Sequence, residues 1–174
     1  LKGIPELVIN QAAETALKKD KKSGWIFTLQ MPSFIPVMQY AENRKLREKM
    51  AHEFGKVSFG GKYDNQKIIK KIVSLRYEKA RILGFKDHAE YTLQKRMAGS
   101  TENVMNFLNS LYDKYYPAAK KELDAIKVLA QQDGVNEMQS WDLAYYTQKL
   151  KKQKFDFDQE ELRPYFRAEN VIKG

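Results

Sequence analysis

Apolar residues recur three and four positions apart along most of this 174-residue chain. This spacing places them on one side of an α-helix, whereas a strand with one buried face would need strict alternation. The widest apolar face runs through residues 66–83 and ends at Gly84, and the longest through residues 101–130, where Pro117 is expected to kink or divide the helix. The pattern predicts a mainly α fold built from many helices.

One segment does not follow the helical pattern. Residues 25–29, Trp-Ile-Phe-Thr-Leu, concentrate aromatic and β-branched side chains between Gly24 and Pro32, and such residues favour extended backbone. We therefore predict one short strand near residues 25–30. The rest of the chain offers no second strand to pair with it, so we expect its partner outside this chain, or else a marginal edge strand.

Charge divides the chain into two parts. Residues 1–99 carry 20 Lys and Arg against 10 Asp and Glu, and residues 100–174 carry 11 against 12, so the first part accounts for the net charge of +9. We predict a single helical region over residues 1–174, with a basic sub-lobe at 1–99 and a near-neutral one at 100–174. A basic surface attracts nucleic acid or an acidic partner, or is a solvated lysine-rich face.

Composition excludes several classes of site. The chain has no cysteine, which rules out disulfides, thiolate zinc sites and a Cys nucleophile. No apolar run approaches the roughly 20 residues of a membrane span, and the N-terminal residues lack the basic-then-apolar order of a secretory signal. We expect no membrane association and a cytoplasmic protein. Both ends look cut, with Leu1 in place of Met, so an exported parent stays open.

Residues 52–56 read His-Glu-Phe-Gly-Lys, one residue away from the zinc-binding signature His-Glu-x-x-His. Lys56 cannot replace the second histidine, because a protonated amine has no free lone pair. On a helix, His52 would also point away from the apolar stripe predicted for residues 44–57. That stripe consists of Leu46, Met50, Phe54 and Val57. With no triad or phosphate-binding loop in sight either, we predict no catalytic and no metal-ligating residue in this chain.

Four stretches together resemble one enzyme family. In chain order they are residues 24–50, 75–108, 117–123 and 141–166, which read GWIFTLQMPSFIPVMQYAENRKLREKM, LRYEKARILGFKDHAEYTLQKRMAGSTENVMNFL, PAAKKEL and WDLAYYTQKLKKQKFDFDQEELRPYF. Their order and spacing resemble the middle region of the thimet-oligopeptidase-like zinc metallopeptidases. Within that family the bacterial peptidyl-dipeptidases, or dipeptidyl carboxypeptidases, look most similar.

The resemblance implies a large, two-lobed, almost wholly helical enzyme with a deep channel, which hydrolyses short peptides. Peptidyl-dipeptidases release dipeptides from the C-terminus. The resemblance also implies that the zinc ligands belong to a His-Glu-x-x-His helix and a Glu on a following helix, both downstream of residue 166. Zinc would then belong to the parent enzyme, and this chain, which holds none of the ligands, would be inactive by itself.

Four residues are candidates for the wall of that channel: Trp141, Asp142, Tyr145 and Tyr146. The three aromatic side chains could line the channel with ring edges and hydroxyls, or form core, as aromatic residues at helical spacing commonly do. Asp142 could orient a neighbouring Arg or Tyr, or serve as a favourable negative charge at a helix N-terminus.

Three hypotheses follow from the sequence. The first is a non-catalytic helical region of a zinc peptidyl-dipeptidase, which walls the substrate channel and docks on the catalytic lobe. The second is a stand-alone basic helical module that binds nucleic acid or an acidic partner. The third is a small metallopeptidase that uses His52 and Glu53, and the lysine at position 56 argues against it.

Overall fold

A computed structural model describes residues 1–19, 23–156 and 165–173, and these residues are mainly α-helical, as predicted. The α-helices are α1 (Glu6–Lys18), α2 (Met31–Tyr40), α3 (Arg44–Gly55), α4 (Gln66–Ile82), α5 (His88–Leu93), α6 (Thr101–Gln132), α7 (Ser140–Phe155) and α8 (Ala168–Lys173), with a 3-10 turn at Gly61–Tyr63. Pro117 does not divide α6, which continues through it. No helix in the described ranges is both long and apolar enough to cross a membrane.

The predicted strand near residues 25–30 is wrong. Residues 25–28 have no regular secondary structure, and the described parts of the chain contain no strand at all. Other groups satisfy the backbone donors instead: the Ile26 N–H donates to the Ala12 carbonyl at 3.0 Å, and the Thr28 N–H donates to Ser33 Oγ at 2.9 Å. A segment without a partner strand stays a connector, even where its side chains favour a strand.

The helices divide between two units of packing. One consists of Leu1–Gly55 and Ala125–Gly174, and the other of Lys56–Asp124. This division follows contacts between residues, whereas the sub-lobes at 1–99 and 100–174 were defined by charge and stay a prediction.

The first unit is organised around α2, which packs against α1, α3 and α7, while α3 also packs against α7. One core cluster joins these helices: Ile4, Val8, Val37, Met38, Ala41 and Met50. A second cluster lies where the end of α6 meets α7 and contains Ile126, Leu129, Ala130 and Tyr146. The second unit, described by itself, packs α5 against α4 and fully buries Ala80.

Helix α3 buries more of its circumference than the sequence pattern predicted. Met50 is buried, as expected for the apolar stripe, whereas Phe54 stacks on Phe34 with ring centroids 4.5 Å apart but stays 37% exposed. Val57 lies beyond the end of the helix and is exposed. Arg47, a charged residue next to the stripe, is almost fully buried at 2% exposure. The burial of Arg47 shows that α3 is covered on a second face, by α7.

A glycine near the N-terminus lets the backbone approach the end of α2. Gly3 has a φ of +88°, and a Cβ built on it would lie 2.1 Å from the Tyr40 carbonyl oxygen. Next to it, the Glu42 N–H donates to the Lys2 carbonyl at 3.1 Å. The position therefore requires glycine, because it has no room for a side chain and its φ is positive.

We predict that Gly3→Ala lowers the free energy of unfolding of the first unit by about 2 kcal/mol more than Gly134→Ala does. Gly134 is a matched control, because its φ is +82° and a Cβ there would meet nothing within 4 Å. Urea titration monitored by tryptophan fluorescence measures this unit specifically, since the two tryptophans, Trp25 and Trp141, both belong to it. Equal losses in the two variants would show that the close approach contributes nothing.

Candidate functional site

The carboxylate of Asp142 is the most heavily bonded charged group in the described structure. Asp142 lies in the first turn of α7 and is 0% exposed. Its Oδ1 accepts from Arg44 Nε at 3.0 Å and from Arg47 Nη2 at 2.9 Å. Its Oδ2 accepts from Arg44 Nη2 at 2.7 Å and from the Gln139 N–H at 3.0 Å. Both oxygens are therefore fully bonded, which a buried carboxylate requires.

Local sequence explains why these groups meet. Arg44 and Arg47 are three residues apart on α3 and so lie on neighbouring positions of one face. At the start of α7 the Gln139 N–H donates to Asp142 Oδ2, the acidic half of a capping box, and the Asp142 N–H donates to the Gln139 backbone carbonyl at 3.0 Å. The cap fixes the carboxylate where the two guanidinium groups reach it.

Arg47 connects three helices through a single guanidinium group. Its Nη1 donates to the Ala41 carbonyl at 2.7 Å, at the C-terminal end of α2, and its Nε donates to the Trp141 carbonyl at 3.2 Å. With Nη2 bound to Asp142, each nitrogen of the group has an acceptor. A buried charge tolerates a low-dielectric site only when it is compensated in this way.

Aromatic rings surround the charged cluster. The Arg47 guanidinium lies 4.2 Å from the centroid of the Tyr145 ring, and that of Arg44 lies 5.9 Å from Trp141, both within the range of cation–π attraction. Tyr145 and Tyr146 meet edge to face with centroids 5.2 Å apart. The Arg47–Asp142 ion pair is removed from water and so is strengthened, whereas the Arg44 side chain is still 41% exposed.

The charges shift one another's proton affinity. Burial by itself would raise the pKa of Asp142, but hydrogen bonds from Arg44, from the Gln139 N–H and from Arg47 outweigh it, so the pKa lies below its ordinary value. The hydrogen bond to Asp142 raises the pKa of Arg44. Burial raises the pKa of Tyr146. Asp142 and Arg44 therefore hold each other in the charged form at neutral pH.

The structure brings all four candidate channel residues into one neighbourhood at the start of α7. Asp142 and Tyr146 are buried, Tyr146 at 3% exposure, while Trp141 and Tyr145 are half-buried. Asp142 combines both roles considered for it, because it orients two arginines and caps a helix. That Trp141, Asp142, Tyr145 and Tyr146 line a channel stays a prediction.

The zinc-like motif lies at the end of α3. His52 is exposed, and its ring centroid is 5.3 Å from that of Trp141, a contact that the helical projection of α3 alone did not predict. Helix α3 ends at Gly55, so Lys56 lies outside it. In the ranges that the structure describes, no three His, Asp or Glu side chains are placed to hold a metal ion.

Sequence reasoning missed Arg44 and Arg47. Both follow Asn43 in a stretch rich in lysine and arginine, where a charged side chain is ordinarily solvated. Their partner, Asp142, is 98 and 95 residues away along the chain. The one local signal was an Asp in the first turn of a predicted helix, which indicates a cap but not an ion pair.

Known proteins match nearly all of the chain. The model of a family described as "Peptidase family M3" matches residues 37–174. Oligopeptidase A of Haemophilus influenzae is 38% identical over 180 residues, which cover 100% of this chain and 26% of that protein. Oligopeptidase A of Escherichia coli is 36% identical over 180 residues with the same coverage. Dipeptidyl carboxypeptidase of Escherichia coli is 30% identical over 174 residues, 99% of this chain and 26% of that protein.

Two consequences follow from these matches. The chain spans about a quarter of the length of the curated relatives it matches. Proteins named oligopeptidase A are more identical to it than the two named dipeptidyl carboxypeptidase, so the peptidyl-dipeptidase branch stays a prediction. The alternative of a stand-alone basic module gains no support from any of them.

We predict that Asp142→Asn lowers the free energy of unfolding of the first unit by about 3–5 kcal/mol, because it leaves the buried Arg47 without a counter-charge. The matched control is Asp133→Asn, which breaks an ion pair with Lys149 whose two side chains are each about one-third exposed. That change should cost about 0–1 kcal/mol. Urea titration of both variants checks the difference, and similar losses would contradict it.

The lowered pKa of Asp142 also predicts a dependence of stability on acidity. In the unfolded chain this carboxyl titrates at its ordinary value, and in the folded chain it titrates lower. Its contribution is therefore complete above the ordinary value and is lost as the pH falls through that value toward the folded one. Asp142→Asn should flatten the acid limb of a plot of urea midpoint against pH relative to that of the unsubstituted chain. An unaltered acid limb in Asp142→Asn would refute the assignment.

Proposed function

Because the chain belongs to the thimet-oligopeptidase-like peptidase family M3, we propose that it is a non-catalytic helical part of a longer, zinc-dependent peptidase that hydrolyses short peptides. The observation that carries the proposal is the family match over residues 37–174, together with relatives about four times as long that are named oligopeptidase A. In this proposal the chain supplies structure to the enzyme rather than the reacting groups.

The role proposed for this part is to form a wall of the substrate channel and to dock on the catalytic lobe. The charged cluster of Asp142, Arg44 and Arg47 suits a wall. Its hydrogen bonds and ion pairs hold α2, α3 and α7 against one another. Trp141 and Tyr145 are the candidates for contact with a peptide, since both are half-buried. Asp142 and Tyr146 are buried and would act by positioning them.

The described residues do not fit a zinc ion. His52 has no second histidine one helical turn away, and no suitable group of His, Asp and Glu side chains surrounds it in the described ranges. In the parent enzyme zinc would polarise the peptide carbonyl and activate a water. We place its ligands in sequence beyond this chain.

The second candidate for specificity is release of dipeptides from the C-terminus. It is supported by the 30% identity to dipeptidyl carboxypeptidase of Escherichia coli, which is spread over 99% of this chain. Hydrolysis of short peptides without a requirement for a free C-terminus is the leading proposal, because relatives of higher identity are named oligopeptidase A rather than dipeptidyl carboxypeptidase.

The test uses the complete reading frame that encodes this chain. We predict that it contains His-Glu-x-x-His downstream of Gly174, and that the expressed polypeptide binds one zinc per chain and loses peptide hydrolysis on chelation. Residues 1–174 alone should hydrolyse nothing. A complete frame without that motif would refute the proposal.

Peptides in matched pairs separate the two specificities. Each pair differs in the C-terminus, which is a free carboxylate in one member and an amide in the other. An enzyme that releases C-terminal dipeptides must recognise the free carboxylate and should leave the amide intact, whereas an enzyme that cleaves internally should produce the same fragments from both. Mass spectrometry of the products distinguishes them.

A further inference from the structure

The second unit, Lys56–Asp124, has almost no core of its own. Ala80 is the one buried residue among its members, all of which lie in the described ranges. Large apolar side chains are instead exposed along α4 and along the part of α6 in this unit. A group of helices this poor in buried apolar surface is not stabilised from within.

The exposed residues of α4 form one continuous face. Over about 160° of the helix circumference, this α4 apolar face consists of Ile68, Ile69, Ile72, Val73 and Leu75, which are 43–61% exposed. Helix α5 is the one described helix that approaches α4 closely, and the contacts with named side chains, such as Lys79 with Tyr91, lie near the C-terminal end of α4. Within the second unit the α4 apolar face is left largely uncovered. Contiguous apolar surface of this kind marks an interaction site.

The edges of this face are basic. Helix α4 carries six basic residues and a single acidic one, Glu78. Lys70 flanks the face on one side and Lys71 on the other, at about 60° and 40° from its outermost apolar residues. Neither lysine has an ion-pair partner in the described part of the chain. An occupant that matches this surface presents an apolar centre with Asp and Glu around it.

Charge and length together identify the occupant. A second copy of the chain would place α4, with its excess of lysine and arginine, against a surface of the same sign. Nucleic acid would neutralise the lysines but leave the isoleucines without an apolar partner. Relatives carry about three-quarters of their length outside the matched region, which is ample sequence to supply a covering surface.

We propose that the α4 apolar face is a docking surface for another part of the same, longer polypeptide, a surface with an apolar centre and carboxylates at its edge. This rests on the proposed function only in requiring that the natural polypeptide extends beyond this chain. It does not require that the polypeptide bind zinc or cleave peptides.

The absence of cysteine from residues 1–174 permits a direct test. Ile72→Cys places one thiol in the face, and Ser74→Cys places one about 160° away on the exposed opposite side of the same helix. Each substitution is made in the 174-residue chain and in the complete polypeptide. Maleimide labelling is followed by peptide mass mapping, so that other cysteines in the complete polypeptide do not interfere.

We expect the Ile72→Cys thiol to react at least about tenfold more slowly in the complete polypeptide than in the 174-residue chain, because burial requires a local opening before reaction. The Ser74→Cys thiol should react equally fast in both. Equal rates at both positions in both proteins would overturn the proposal.

Two further results would also overturn it. One is protection of the Ile72→Cys thiol in the 174-residue chain, accompanied by a dimer in sedimentation, which identifies a second copy as the occupant. The other is protection that appears in the complete polypeptide only on addition of a DNA duplex. An active zinc peptidase with an unprotected thiol contradicts the docking surface alone, and an inactive polypeptide with a protected thiol contradicts the proposed enzymatic function alone.

Discussion

A buried carboxylate that binds two arginines is the interaction on which the first unit depends. Asp142 and Arg47 are almost completely removed from water, and the cost of desolvating both is offset only if every hydrogen-bonding position is used. This requirement explains the geometry around them: α2 must offer the Ala41 carbonyl and α3 must present its arginines on one face. The start of α7 must be capped so that its carboxylate is fixed. The apolar core around Val37 and Met50 then packs within that framework.

Much of the helical fold could be predicted from residue spacing, because the 3.6-residue period of apolar side chains is a local property. The segment at Trp25–Leu29 shows where local reasoning fails. Its composition favours a strand, but a strand exists only with a partner, and the described residues provide none. Arg47 shows that the apolar pattern can also underestimate burial. The sequence of α3 has one apolar stripe, but α3 packs against both α2 and α7, and Arg47 is buried.

The sequence identified the α7 residues of the candidate site but not the arginines that bind them. Trp141, Asp142, Tyr145 and Tyr146 were selected from one short stretch, and the structure places them together because one helix carries them. Their arginine partners come from a helix nearly one hundred residues earlier, and no periodicity within either segment records that pairing. The family resemblance could be recognised because the order of four sequence stretches is read directly from the sequence, whereas contacts between distant residues are not.

The first unit joins two stretches of chain that are far apart in sequence, since residues 56–124 lie between them. The contact between Arg47 and Asp142 closes a loop of 95 residues, so its formation carries a large entropic cost and a high contact order. During synthesis, helices α1 to α3 leave the ribosome long before α7 exists. Until then Arg47 is a solvated charge on an incomplete surface, and we expect the first unit to become stable only after all of α7 has left the ribosome.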